Sequence, residues 1–122
     1  MGNFRNLRVW QEAKNIAVEI YRITMVGAFQ KDYGLKDQMR RAAVSISSNI
    51  AEGDERFSNQ ESIRFLYIAN GSAAELITQI IIAYEIGYLN KDESDKLISE
   101  IEKISKMIKS LINFRRNNVK KT

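Results

Sequence analysis

The sequence of 122 residues contains no cysteine and no histidine. Because thiols and imidazoles are absent, the chain can form no disulfide, and it has no cysteine nucleophile and no histidine general base. Nearly all types of zinc site are excluded as well. The di-metal sites of helical bundles are excluded too, since they need a Glu-x-x-His motif. We therefore expect no metal, no cofactor and no enzymatic activity. A pair of carboxylates, for instance Glu52 with Glu75, is the catalytic alternative that the remaining residue types leave open.

Proline is also absent and there are only six glycines, so few residues interrupt a helix. Apolar residues recur at three- and four-residue steps and predict four helices, at about residues 7–25, 35–53, 58–86 and 91–114. Long helices joined by short turns pack most simply as an antiparallel, up-down four-helix bundle, which we expect to be one domain over residues 1–122. Residues 115–122 lack apolar periodicity and are expected to form a basic tail.

Several predicted helix ends carry their own sequence signals. Residues 58–61 (SNQE) have the spacing of a capping box, and Asn90 with Glu93 repeats that signal before the fourth helix. Gly87 suits the left-handed position that follows a helix. Gly53 is expected to end the second helix.

The third predicted helix carries more apolar surface than one bundle core needs. Ile80, Ile81 and Ile82 are consecutive, and at about 100° per residue they span roughly 200° of the helix circumference, more than one core-facing stripe covers. Exposed apolar surface usually marks an association face. We therefore expect self-association rather than complete burial within one bundle.

No segment of the sequence suits a membrane. The longest apolar stretch, residues 76–86, is too short to cross a bilayer and contains Glu85. The first residues have no apolar core of the kind found in a signal peptide. With no cysteine to require an oxidising compartment, we expect a cytoplasmic protein.

Charge is distributed unevenly, although the net charge is only +4. Residues 1–50 hold eight Lys and Arg against four Asp and Glu, residues 51–90 hold two against six, and residues 91–122 hold nine against five. Clustered cations suit contacts with nucleic-acid phosphates, whereas cations near a helix C-terminus also complement the helix dipole. The candidate nucleic-acid-binding residues are Lys36, Arg40, Arg41, Arg56, Arg115, Arg116, Lys120 and Lys121.

Short polar side chains interrupt the apolar faces of the second and third helices. Ser45, Asn49 and Glu52 share one helix face because they are spaced at i, i+4 and i+7. Such a face usually forms a hydrogen-bonded network that fixes helix register, and a ligand site is the alternative. The whole polar motif comprises Ser45, Asn49, Glu52, Gly53, Ser72 and Glu75.

The run over residues 33–53, YGLKDQMRRAAVSISSNIAEG, resembles the signature of the four-helix-bundle proteins encoded in intervening sequences of bacterial 23S ribosomal RNA genes. The similarity extends back to residues 4–10 (FRNLRVW) and forward through residues 70–76 (NGSAAEL) to residues 85–89 (EIGYL). It implies an up-down bundle that assembles into a homo-oligomeric ring, typically a pentamer, whose basic surfaces meet RNA or DNA. The chain is also similar to the accessory protein of diversity-generating retroelements, which implies nucleic acid and a reverse transcriptase as partners.

Two functional hypotheses remain open from the sequence. The first is an oligomer that binds RNA or DNA through the basic residues, and the second is a scaffold whose partner is another protein. Solvated charge competes with the first hypothesis, because Asp37 is placed to pair with Arg41 and Glu102 with Lys106, each four residues apart.

Overall fold

Helices dominate the computed structural model of the chain, which describes residues 3–119 and the side chains of residues 3–117. The four long helices are α1 (Arg8–Thr24), α2 (Tyr33–Asp54), α3 (Asn59–Glu85) and α4 (Lys91–Val119). Short 3₁₀ helices precede α1 at Phe4–Asn6 and fill the connection to α2 at Gly27–Lys31. No strand occurs in the described part of the chain, so the all-α prediction is confirmed.

Consecutive helices pack side by side, and α1 also packs on α4, which closes the bundle. Contacts between α2 and α3 run in opposite chain directions, since Gly53 meets Ser62 at one end while Ser45 meets Ser72 nearer the middle. The two helices are therefore antiparallel. The connections are short enough to keep each helix next to its successor, as an up-down bundle requires.

The core lies on the apolar stripes that the three- and four-residue spacing predicted. Burying these side chains removes apolar surface from water, at about 25 cal/mol per Å², and this term drives the helices together. The largest side chains that are almost fully buried are Ile16, Ile20, Met39, Ile46, Ile50, Leu66, Leu76, Ile80, Ile101, Ile104 and Ile108.

Helix ends use the predicted caps. Gly87 adopts a φ of 87°, and the amides of Gly87 and Tyr88 donate to the carbonyls of Tyr84 and Ala83, which is the hydrogen-bond pattern of a Schellman motif. Asn90 and Glu93 exchange both capping bonds, at 2.8 and 2.9 Å. The Ser58 hydroxyl accepts from the Glu61 amide at 3.1 Å at the start of α3.

One cap was missed from the sequence. The Asp32 side chain accepts from the Leu35 amide, so α2 begins at Tyr33 and not at residue 35. The second Asp32 carboxylate oxygen accepts a 2.9 Å hydrogen bond from the Tyr88 hydroxyl, and this bond raises the pKa of Tyr88 above its usual value. The start of α2 is thereby tied to the α3–α4 connection.

Gly53 does not end α2, as the sequence suggested, but lies inside it and is buried. A Cβ added at Gly53 would lie 3.0 Å from the Ser62 carbonyl oxygen and 3.3 Å from the Phe65 Cβ. The absence of a side chain therefore serves the close approach of α2 to α3, and the helix continues to Asp54.

The predicted tail also differs, because α4 continues without a break to Val119. Residues 115–119 are helical, whereas the sequence predicted that the helix ends near residue 114. The physical reason is Arg115, whose guanidinium anchors the last turns of α4 to α2 and α3 through Asp54 and Ser62.

The apolar surplus of α3 is divided between the core and the surface. Ile80 is buried, whereas Ile81 and Ile82 are 41% and 46% exposed. By length and composition α3 is a candidate membrane span, the one such helix in the described part of the chain. This is weak evidence for a membrane, since α3 packs against both α2 and α4 in the bundle.

Candidate nucleic-acid interface

Three of the predicted cations, Lys36, Arg40 and Arg41, lie on the N-terminal half of α2. The Arg40 guanidinium is held in place by α1, since its Nε donates to the Thr24 hydroxyl at 2.9 Å and its Cζ lies 4.4 Å from the centre of the Tyr21 ring. The buried Thr24 hydroxyl in turn donates to the Ile20 carbonyl at 2.6 Å. Arg40 thus lines the surface cleft described below with its guanidinium held by two contacts to α1.

The two neighbouring cations differ, because the Lys36 ammonium donates a long, 3.5 Å hydrogen bond to the Gln30 carbonyl. The Lys36 ammonium lies 4.6 Å from the centre of the Tyr33 ring, and Tyr33 is 67% exposed. Arg41 is exposed and makes no ion pair within the described residues. The pair with Asp37 that the spacing suggested is not formed, so the Arg41 charge is not neutralised by that neighbour.

Arg40 and Arg41, but not Lys36, line an open cleft of about 510 Å³ on the outer side of α2, next to α1. We call it the α1–α2 cleft, and its lining is Tyr21, Asp37, Arg40, Arg41, Val44 and Ser45. Its walls combine two guanidinium groups, one aromatic ring and one carboxylate. A second cavity, of about 390 Å³, shares Arg41 and Ser45 and adds Gln38, Ala42 and Glu75 from the α2–α3 side.

Arg56 lies far from this cluster, at the other end of α2. Asp54, the last residue of α2, lies fourteen positions beyond Arg40, which is about 21 Å along a helix at 1.5 Å per residue, and Arg56 follows it. Its guanidinium forms a 2.6 Å ion pair with Glu52 and lies 4.6 Å from the centre of the Phe65 ring. The Arg56 charge is thus partly satisfied within the protein.

Arg115 is engaged in the bundle and not exposed in a tail. Its two terminal nitrogens donate to Ser62 Oγ at 2.7 Å and to Asp54 Oδ1 at 2.8 Å, and the side chains of Arg115 and Asp54 are only 16% and 8% exposed. Such a group cannot reach a phosphate without breaking buried contacts. For this reason we leave Arg115 out of the interface proposed below.

The last basic residues divide into two groups. Arg116 is exposed, donates to the Tyr67 hydroxyl and has its guanidinium carbon 5.9 Å from the centre of that ring. Lys120 and Lys121 lie outside the described residues. Arg116 and Arg56 both lie at the end of the bundle opposite the α1–α2 cleft.

The polar motif brings together three of its members. The hydroxyl oxygens of Ser45 and Ser72 lie 2.8 Å apart, and the Asn49 side-chain amide donates to both the carbonyl and the hydroxyl of Ser45, at 2.8 and 2.9 Å. This network links α2 to α3 at mid-height, where it fixes their register.

The two carboxylates of the motif lie apart from that network. Glu52 pairs with Arg56, and Glu75 is exposed beside Ala42. Since Ala42 and Glu52 are ten residues apart, the two carboxylates are separated by about 15 Å along the helix axis. The structure therefore offers no paired-carboxylate site from Glu52 and Glu75. No group of acidic residues suited to a metal occurs within the described part of the chain.

Sequence reasoning missed the aromatic partners of the cations. Lys36, Arg40, Arg56 and Arg116 each lie over a ring, and these rings are those of Tyr33, Tyr21, Phe65 and Tyr67. Tyr33 was recognisable at three residues from Lys36, on the same helix face. Tyr21 and Tyr67 lie on other helices and gave no such signal.

Comparison with known proteins identifies the family to which the chain belongs. A family model described as 23S rRNA-intervening sequence protein matches residues 5–110. The chain belongs to this family. A search of curated proteins finds no match.

A solved structure of similar fold is a protein of unknown function from the S23 ribosomal protein family of Bacteroides thetaiotaomicron VPI-5482. It is 24% identical to this 23S rRNA-intervening sequence family member, with a TM-score of 0.78, and the match covers 85% of this chain and 97% of that one. The likeness establishes the fold, and neither description names an enzymatic activity.

Proposed function

We propose that this protein is a non-enzymatic, cytoplasmic homo-oligomer that binds RNA or DNA through a basic surface centred on the α1–α2 cleft. The observation that carries the proposal is the fixed Arg40 guanidinium, flanked by Lys36 and Arg41 on one stretch of helix surface. Cations arranged along one surface can neutralise neighbouring phosphates and release their counterions, which is the main source of sequence-independent affinity.

The fixed orientation of Arg40 supports a binding role over a solvated charge. An arginine that already rests on a ring and donates to a buried hydroxyl loses little rotamer freedom when it binds an anion. Its terminal nitrogens can still form the bidentate contacts that suit phosphate oxygens. An ordinary surface arginine would have to be ordered first, at an entropic cost.

The proposed interface is smaller than the set of cations suggested by the sequence. Arg115 is excluded because its charge is paired inside the bundle, and Arg56 is already paired with Glu52. Arg116 lies at the opposite end and can contribute through a separate contact, as can Lys120 and Lys121. In an oligomer each such patch is repeated, so weak sites add to one another when a long nucleic acid spans them.

The partner in self-association is proposed to be a second copy of this chain, seated on the outer face of α3. Ile68 and Ile82 lie on that face two heptads apart and are 44% and 46% exposed, with Ile86 one turn further on. Exposed isoleucines in such a row resemble an interface more than a solvated surface. The pentamer implied by family resemblance is the assembly that we propose.

Neutralising substitutions test the nucleic-acid interface. Replacing Lys36→Gln together with Arg41→Gln should weaken binding of a generic single-stranded RNA and make the slope of log K against log salt shallower by about 1.4, since each lost contact removes about 0.7. Arg40 is kept, because its loss would leave the buried Thr24 hydroxyl without its donor partner.

A matched control separates local contacts from net charge. Lys103→Gln with Lys109→Gln removes the same two charges from exposed positions on α4, and it should change the slope much less. If the two double variants have the same effect, the α1–α2 surface has no special role and the proposed interface is wrong.

Light scattering tests the proposed oligomer, since a mass of 14.1 kDa at micromolar concentration would be that of a monomer. Ile82→Lys should lower the assembled mass, whereas Val18→Lys, at a similarly exposed position on α1, should not. A monomeric parent protein would contradict the proposal of self-association.

A second candidate function is a protein-interaction scaffold without nucleic-acid binding. It is favoured by the same apolar face of α3, if a different protein rather than a second copy covers it. Absence of RNA and DNA binding, together with a monomeric parent and stoichiometric binding of one purified protein that Ile82→Lys abolishes, would favour this alternative.

A further inference from the structure

We propose that the α1–α2 cleft binds one unpaired guanine base of a single-stranded nucleic acid, and that Asp37 recognises it. The inference rests on the proposed nucleic-acid function and deepens it. Phosphate contacts alone carry no sequence information, whereas this cleft has the groups needed to read one base.

The carboxylate of Asp37 is the feature that phosphate binding leaves unexplained. It lines the cleft between two arginines and is exposed. Within the described residues it forms no ion pair, not even with Arg41 one turn away. A negative charge at this place repels phosphates, so it is unfavourable to a site that takes only the backbone.

A base bound in the cleft would give that carboxylate a partner. An ionised carboxylate only accepts hydrogen bonds, and its two oxygens can take two parallel ones. The Watson–Crick edge of guanine presents N1–H and the N2 amino group side by side, two donors at the spacing of a carboxylate. Adenine, cytosine and uracil place at least one acceptor next to a donor on that edge, so none of them offers this match.

Arg40 provides the surface on which such a base would stack. Tyr21 covers one side of its guanidinium, at 4.4 Å, and the Nε bond to Thr24 holds the group in that position. Arg40 also lines the open cleft, and bases stack on arginine planes as they do on aromatic rings. The result would be a three-layer stack of tyrosine, arginine and base.

The rest of the surface suits a single strand. The cleft volume of about 510 Å³ is enough for one nucleobase. The guanine must be unpaired, because pairing would occupy the edge that Asp37 reads. Tyr33, exposed and beside Lys36, offers a second ring for the neighbouring base while the lysine approaches the backbone.

Fluorescence anisotropy with three labelled RNA heptamers tests the proposal. One probe is all uridine, and the other two carry a single central guanosine or adenosine, which avoids quadruplexes. The guanosine probe should bind at least about fivefold more tightly than the other two, the discrimination typical of one good bidentate pair. Equal affinity for all three probes would overturn the guanine site and leave the proposed backbone binding intact. If none of the three probes binds, both proposals are overturned.

Asp37→Asn provides the residue-specific test. The amide cannot accept two parallel hydrogen bonds, so the guanosine preference should disappear, while affinity for the all-uridine probe stays the same or rises because a negative charge is lost. The matched control is Asp92→Asn, which removes an exposed aspartate from the first turn of α4 and should keep the preference. Both variants should melt as the parent does, since neither aspartate makes an ion pair among residues 3–117. A preference that survives Asp37→Asn would contradict the assignment.

Discussion

Replacing Arg115 by methionine tests whether the end of α4 is anchored to the bundle by its charge. The substitution keeps an unbranched apolar stem but removes the guanidinium, so Asp54, which is only 8% exposed, loses its counter-ion. Breaking a buried ion pair by removing one partner costs about 3 to 5 kcal/mol. Arg115 itself is 16% exposed, and one Asp54 oxygen already lacks a partner among the described residues. We therefore expect Arg115→Met to lower the free energy of unfolding by about 3 kcal/mol, the low end of this range.

Thermal unfolding followed by circular dichroism measures this loss. For a domain of 122 residues, about 3 kcal/mol corresponds to a fall in Tm of roughly 10 °C. Parent and variant must be compared at the same protomer concentration, because self-association would stabilise the folded state. Arg116→Gln is the matched control and should change stability by no more than about 0.5 kcal/mol, since Arg116 is exposed.

Removing the buried acid as well separates the ion pair from simple packing. In the double variant Asp54→Leu with Arg115→Met, no charge is left unpaired, so it should be at least as stable as Arg115→Met alone. If the free energy of unfolding of Arg115→Met lies within about 0.5 kcal/mol of the parent value, the view that Asp54 depends on this arginine is wrong.

Three further predictions concern the stability of the fold. Gly53→Ala should lower the free energy of unfolding by about 1 to 3 kcal/mol, because its Cβ would press on the backbone of α3. Gly34→Ala is the control and should not lower it, since its Cβ would meet no atom closer than 3.9 Å. Equal urea midpoints for the two variants would contradict the close approach of α2 to α3. Asn49→Leu should lower stability by about 1 to 3 kcal/mol and leave RNA affinity unchanged; normal melting with lost RNA binding would make the polar motif a binding site. Truncation after Phe114 should lower Tm about as much as Arg115→Met does, whereas truncation after Asn117 should leave Tm unchanged. If truncation after Asn117 lowers Tm as much, the anchor lies beyond Arg115.

Periodicity was enough to predict the four helices and most of the core. Stripes such as Ile16 with Ile20, or Ile101 with Ile104 and Ile108, are repeated along each helix and are read without knowledge of the partner helix. The caps at Ser58, Gly87 and Asn90 were readable too, because a cap depends on residues three or four positions apart, although the Asp32 cap of α2 was missed. Asn90 and Glu93 form both of the bonds that their spacing predicts.

Features that depend on distant residues could not be read in this way. Arg115 and Asp54 are 61 residues apart in sequence, so Arg115 resembled one more cation in a polar tail. Gly53 resembled a helix terminator, because nothing in its neighbourhood reveals that the Ser62 backbone approaches it. In both cases the tertiary contact, not the local propensity, decides where the helix ends.

The candidate interface was only partly predictable for the same reason. Lys36, Arg40 and Arg41 were recognised from their clustering on one helix. The Tyr21 ring and the Thr24 hydroxyl that orient Arg40 belong to α1. Sequence alone therefore could not distinguish a fixed guanidinium from a solvated one.

The central claim, that the protein binds nucleic-acid backbone through clustered cations, is tested most directly by titrating the unmodified protein with a single-stranded RNA at a series of salt concentrations. If Lys36, Arg40 and Arg41 each contact one phosphate, log K should fall against log salt with a slope of about −2 for each protomer engaged. Binding that is absent at low salt, or that does not change with salt, would contradict the claim.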